Sequence, residues 1–192
     1  MKRSVGKYQG VWLFFLMATW VLICRDREWL AVLLAAVLHE GGHWLAARLC
    51  GVRIVGFRVG LSGARMALDG LLSYKKEFLI AAGGPLANFV CAWFVCWMGE
   101  AVGEGRELFF YASLGLGILN MLPVGSLDGG RMISAVIGRF LAPDWAAKVV
   151  GATTAICLGS LWLLTVYGLL CGAPMVSLSV FFLYLLLKTG LG

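Results

Sequence analysis

The stretch Trp29-Leu-Ala-Val-Leu-Leu-Ala-Ala-Val-Leu-His39-Glu40-Gly-Gly-His43-Trp-Leu-Ala-Ala-Arg-Leu49 decides the fold. Apart from His39, Glu40, His43 and Arg48 it is apolar or small, and a helix needs about 20 such residues to cross the hydrocarbon core of a bilayer. Ionisable groups at that depth are costly unless they pair with something or hold an ion. His39 and His43 are the only 2 histidines in the chain, and at a spacing of four they share one helix face a turn apart, so both imidazoles can reach one metal ion. Glu40 stands between them, where a carboxylate can act on water held at that metal.

The composition agrees with a membrane setting. The chain of 192 residues is 61% hydrophobic and 14% charged, with a mean hydropathy of +0.89; soluble domains average about 45–50% and 25%. That length suits one domain, residues 1–192, with a catalytic core over about 29–141. The 6 cysteines (24, 50, 91, 96, 157, 171) have no C-x-x-C spacing and read as small packing residues rather than a disulfide framework or thiolate site. The net charge of +6 comes without a basic stripe interleaved with aromatics, so no nucleic-acid partner is expected. Basic cytoplasmic loops account for it instead.

Apolar runs at Gly10–Cys24, Trp29–Leu49, Phe78–Met98, Leu108–Leu122 leading into Leu127–Leu141, Ala146–Leu170 and Met175–Leu187 predict an all-α polytopic membrane protein of about six transmembrane helices. The fourth run is broken at Asn120 and Pro123. The N-terminus starts like a signal peptide but has no small-x-small cleavage site, and reads as an uncleaved anchor. Lys2, Arg3 and Lys7, the segment with Arg48, Arg53, Arg58, Arg65, Lys75 and Lys76, then Arg131, Arg139 and Lys148, and finally Lys188 place positive charge at every second boundary. The acidic stretch Glu100, Glu104, Glu107 falls on the other side. The positive-inside rule puts both termini and residues 48–77 in the cytoplasm of a multi-pass cell-membrane protein.

A catalytic zinc site takes three protein ligands and leaves a position for water. Asp128 is the third ligand the sequence favours: it follows the broken fourth run on the cytoplasmic side, and His39 and His43 lie about 15 and 9 Å of helix from Leu49 on that same side. Glu100, Glu104 and Glu107 are rivals on the opposite face. The competing role for Asp128 is a helix N-cap.

Three strings in order, His39-Glu40-Gly-Gly-His43, Gly83-Gly84-Pro85-Leu86-Ala87-Asn88 and Asn120-Met-Leu-Pro123-Val-Gly-Ser-Leu-Asp128-Gly-Gly130, resemble the site-2 protease family of intramembrane zinc metalloproteases. The third string, N-x-x-P-x-x-x-x-D-G, is the specific one; H-E-x-x-H alone recurs in unrelated proteases. The strings span roughly residues 36–131, and the six-span layout extends the likeness along the chain. The resemblance implies zinc held by His39, His43 and Asp128, with Glu40 as the catalytic base. The layout is similar to the sporulation branch that processes a pro-sigma factor, but without a PDZ insertion and with no space for that branch's CBS domain. The partners it implies are a membrane-associated or membrane-tethered protein substrate, such as a pro-sigma or anti-sigma factor, the lipid bilayer, and a membrane-protein inhibitor or regulator.

Asn88 and Asn120 can each bond the substrate backbone or an oxyanion, or satisfy a broken helix. Gly41 and Gly42, with the small face Gly83, Gly84, Ala87 and Asn88, imply close approach of two backbones. Between spans two and three, Val55, Phe57, Val59 and Leu61 alternate with strand period, and Gly60 to Gly63 can turn the chain back as a small cytoplasmic hairpin. That hairpin is either a surface element held by arginines near anionic lipid or an edge strand, through Val55, Phe57 and Val59, that pairs with an extended substrate.

The sequence thus favours an intramembrane zinc endopeptidase acting near the cytoplasmic face. The alternative is a non-hydrolytic metal-binding scaffold or carrier, against which Glu40 counts, since a carrier needs ligands but no base. A third reading, a different metalloprotease class with a downstream Glu as ligand, conflicts with the side on which the acidic stretch falls.

Overall fold

The computed structural model describes residues 27–60, 63–68, 70, 72–99 and 105–190. The expected first span, Gly10–Cys24, the hairpin residue Leu61, and Glu100 and Glu104 lie outside them. The chain forms two compact units, Met1–Leu119 and Asn120–Gly192.

In the first unit, α1 runs Arg27–Leu49, the strands β1 Ile54–Gly60 and β2 Gly63–Leu68 follow, then α2 Tyr74–Met98 and α3 Arg106–Met121, whose last residues pass into the second unit. Buried Ala35, His39, His43 and Ala47 step by four along α1, so its small side chains and its histidines occupy one face. The helix ends in a Schellman motif: Gly51 takes φ 66°, Val52 N–H donates to the Ala47 carbonyl at 2.9 Å and Gly51 N–H to that of Arg48 at 3.0 Å. Val52 then packs with Ala47 and Ile80, tying the end of α1 to the first turns of α2. Ser73 caps α2, its hydroxyl accepting from Lys76 N–H at 3.4 Å.

The contact of α1 with α2 is set by glycine. A Cβ on Gly42 would strike the Gly83 carbonyl and the Ala87 methyl, and one on Gly83 would strike the Gly42 carbonyl and Ala46. The expected close approach is real, but it uses Gly42 and not Gly41, which faces open space. On α3, buried Ser113 and Gly117 share a face, and Gly117 lies against the Phe89 ring.

The two strands pair antiparallel, from Ile54 with Leu68 to Gly60 with Gly63. The strand alternation expected there takes the form of this antiparallel pair. A register shift between Ile54 and Gly56 leaves Val55 as the extra residue of a bulge, and Val55 is exposed.

The second unit holds α4 Asp128–Gly138, α5 Pro143–Leu170 and α6 Val176–Gly190. Pro143 opens α5 where its missing N–H costs nothing. Val124, Leu158 and Phe182 form the core, with Leu122, Leu127, Leu161, Trp162 and Leu186 packed on it. Trp162 packs on this core, whereas Trp93 and Trp97 are exposed and stacked with ring centroids 6.5 Å apart.

Among the described residues, three helices are long and apolar enough to cross a membrane: Leu30–Leu49, Tyr74–Met98 and Pro143–Leu170. The helices α3, α4 and α6 are shorter, with 16, 11 and 15 residues. The helices α3 and α4 are parted at the break expected at Asn120 and Pro123. Spanning helices turn large apolar side chains outward, among them Leu34, Val90, Trp97 and Leu164, as suits contact with lipid.

Candidate metal centre

On α1, His39 and His43 are each 5% exposed. Their Nε2 atoms lie 3.2 Å apart, and the rings meet edge to face with centroids 4.8 Å apart. His43 Nδ1 is 2.7 Å from the Ile80 carbonyl oxygen. A carbonyl only accepts, so Nδ1 carries the proton and Nε2 keeps its lone pair. The Gly84 N–H, 3.3 Å from the same Nδ1, is the longer and weaker contact. A backbone carbonyl holding the far nitrogen is the usual support for a metal-ligating histidine.

The floor beneath the pair is Gly84: a Cβ there would collide with the Nε2 atoms of both rings. Pro85 follows it inside α2 and supplies no N–H, so this turn of the helix lacks one ladder bond. The G-G-P string therefore does two things. It lets α2 approach α1, and it offers the imidazoles a surface without side chains.

The donor set fits zinc. Tetrahedral zinc with Zn–N near 2.0–2.1 Å sets its nitrogen ligands about 3.3–3.4 Å apart, close to the 3.2 Å found for the two Nε2 atoms. Neutral imidazole nitrogens are ligands zinc commonly takes.

Asn88, one turn beyond Gly84 on α2, is 0% exposed, and among the described residues neither of its amide atoms has a hydrogen-bond partner. Glu40 is partly buried on α1 beside the histidines. Of the edge-strand residues, Val55 is exposed; Phe57 and Val59 hold register positions opposite Met66 and Ala64, and their side chains are not among those described.

In the second unit, Asp128 is 6% exposed and is the first residue of α4, with Leu127 as N-cap. Its carboxylate is therefore not the cap that the competing reading required. It lies in the first helical turn, where the helix dipole favours negative charge, and Arg131 reaches it at 3.4 Å. Asn120 is half-buried near the end of α3. The sharp turn between α3 and α4 depends on Gly129 and Gly130, where a Cβ would enter the carbonyls of Met121, Leu122 and Val124. Sequence reasoning did not single out the Ile80 carbonyl or Thr154, whose hydroxyl receives the Gly125 N–H at 2.9 Å. A backbone group leaves no sequence signal, but a threonine pair inside the apolar run Ala146–Leu170 is a visible irregularity.

Residues 28–105 match peptidase family M50. The stage IV sporulation protein FB of Bacillus subtilis is 27% identical over 151 residues, covering 76% of this chain and 52% of that protein. A zinc metalloprotease of Methanocaldococcus jannaschii is 27% identical over 157 residues, covering 77% of this chain and 45% of the relative. The chain thus spans about half the length of both relatives. The solved site-2 protease from Methanocaldococcus jannaschii shares the fold with a TM-score of 0.65 at 19% identity, over 99% of this chain and 92% of that one. The M50 match includes both histidines, Glu40, Gly84 and Asn88, which belong to the first two of the three strings; the third, Asn120 to Gly130, lies beyond it.

Proposed function

We propose that this chain is an intramembrane zinc endopeptidase that hydrolyses a peptide bond in a membrane-associated or membrane-tethered protein. The observation that carries the proposal is the histidine pair on α1: two buried imidazoles with their Nε2 atoms 3.2 Å apart, one fixed in tautomer by Ile80, within a helix apolar enough to span a membrane. Zinc would be held by His39, His43 and Asp128. When bound, zinc supplies Lewis acidity that lowers the pKa of water toward about 7 and polarises the scissile carbonyl.

Glu40 serves as general base. Its carboxylate takes the proton from the attacking water as the water oxygen bonds to the carbonyl carbon, then returns it to the amide nitrogen as the C–N bond breaks. His43, through Nδ1–H to Ile80, holds its ring in one orientation through both steps. Asn88 offers a buried amide to the substrate backbone, and Asn120 closes the broken helix end and is the second candidate for such a bond. The hairpin presents an edge strand, through Val55, Phe57 and Val59, to an extended substrate. The unit acts as one domain over residues 1–192, with further spans beyond the three long helices, both termini cytoplasmic and the site toward the cytoplasmic face, as the alternating charge indicates. A pro-sigma or anti-sigma factor is a suitable substrate, and a membrane-protein inhibitor a suitable regulator.

The test uses purified full-length protein in proteoliposomes with zinc, presented with single-span peptides that carry short cytoplasmic extensions. Cleavage that a chelator abolishes and added zinc restores is the expected result. Zinc-loaded protein that cleaves none of these peptides when His39, Glu40 and His43 are intact, yet moves zinc across the bilayer, would replace protease with carrier.

A further inference from the structure

We propose that Thr154 is a positioning residue for Asp128, an inference that rests on the reading of Asp128 as a zinc ligand. Thr154 lies in the middle of α5, 2% exposed, in a helix otherwise chosen for apolarity. Its hydroxyl accepts the Gly125 N–H at 2.9 Å and donates back to the Val150 carbonyl at 2.7 Å, with the Pro123 carbonyl at 3.4 Å. The hydroxyl has one proton, so the shorter contact to Val150 takes it while the lone pairs face Gly125.

This bond reaches into the turn that delivers Asp128. From Leu122 to Leu127 the chain closes on itself, with Val124 N–H donating to Leu122 at 2.7 Å and Leu127 N–H to Val124 at 2.8 Å. Val124, 0% exposed, packs on Leu158, one helical turn beyond Thr154 on the same face of α5. The turn is therefore pinned to α5 at two adjoining residues: Val124 by its side chain and Gly125 by its N–H. Gly125 is three residues before Asp128, and Gly129 and Gly130 press the start of α4 onto the same turn. Without the hydroxyl, the Gly125 N–H keeps no partner from α5, and the turn that carries Asp128 loses its hydrogen bond to that helix. A ligand needs its carboxylate fixed closely, and the groups that fix ligands typically change metal affinity by about 10- to 100-fold when removed.

The neighbouring Thr153 supplies the control. It donates to the same Val150 carbonyl at 3.0 Å but makes no bond to the turn among the described residues. Zinc affinity is measured on full-length protein in detergent by competition with a chromophoric chelator, with secondary structure and melting followed in parallel. Thr154→Val is expected to weaken zinc about 10- to 100-fold, whereas Thr154→Ser, which keeps the hydroxyl, and Thr153→Val remain close to wild type. In an Asp128→Ala background, Thr154→Val adds nothing further. If Thr154→Val does not accumulate in folded form, Thr154→Ala carries the same comparison. Wild-type affinity in Thr154→Val, alongside loss in Asp128→Ala, overturns the role of Thr154 and leaves the ligand reading intact. Wild-type affinity in Asp128→Ala removes the ligand reading itself. Equal loss in Thr154→Ser, or a further loss in the Asp128→Ala background, assigns Thr154 to packing and overturns the proposal.

Discussion

The Nδ1–H of His43 donates to the carbonyl oxygen of Ile80 across 2.7 Å, joining α1 to α2 at the level of the histidine pair. That single bond sets the tautomer, turns Nε2 toward His39 and makes the packing of α2 part of the metal site. Gly84, four residues after Ile80, stands against both rings. The G-G-P string on α2 is therefore a component of the centre without contributing a ligand.

Gly84→Ala tests this relationship. The added methyl would overlap the Nε2 atoms of both rings, so either the rings rotate or the helices part. Overpacking of this kind costs about 1–3 kcal/mol. Zinc content in Gly84→Ala is expected to fall well below that of wild type, while Gly41→Ala, which faces open space, retains it. Equal zinc in the two variants would show that the close approach at Gly84 does not shape the pair.

Glu40→Gln separates binding from chemistry. Glutamine keeps the size of the side chain and accepts no proton, so zinc and fold should remain while cleavage drops by about 100- to 10,000-fold, the usual contribution of a positioned acid–base group. Zinc measured by mass spectrometry of the purified variant, together with peptide cleavage in proteoliposomes, gives both readings. Turnover near the wild-type rate would take the base role away from Glu40.

The histidine pair, its intervening glutamate and the hairpin were legible in the sequence because each depends on local spacing: four residues on a helix, two on a strand, and glycines at the turn. The lengths of α3, α4 and α6 were not. Asn120 and Pro123 marked the break, but how tightly the chain turns there depends on backbone contacts at Gly129 and Gly130 with the Met121, Leu122 and Val124 carbonyls. Periodicity does not encode such contacts. Ile80 was invisible for the same reason, since it acts through a carbonyl that every residue carries.

Asp128→Ala addresses the third ligand. Asp128 is buried at the first residue of α4, and its pair with Arg131 is a long i,i+3 contact of 3.4 Å whose arginine is open to solvent screening. The variant should therefore stay folded and inserted while zinc affinity falls, and His43→Ala should lose zinc at least as severely. Removing Arg131 instead, as Arg131→Gln, should leave zinc content close to wild type. A larger loss from Arg131→Gln than from Asp128→Ala would point to the ion pair rather than to ligation.

The last expectation concerns the side from which a substrate arrives. Arg48, Arg53, Arg58, Arg65, Lys75 and Lys76 fall in and beside the hairpin between α1 and α2, and the positive-inside rule leads us to propose that this segment lies in the cytoplasm. His43 lies only six residues from Leu49 along α1, about 9 Å of helix rise, so water and an extended chain have the shorter route from that side. Ser62→Cys, in a variant otherwise free of cysteine, places a thiol between the two strands. An impermeant maleimide should leave it unmodified in intact cells and label it in inverted vesicles. A second cysteine on a substrate should then crosslink to the hairpin when its cleavage region is cytoplasmic or interfacial. Labelling of Ser62→Cys from outside intact cells would reverse the orientation and move the substrate entrance to the opposite face.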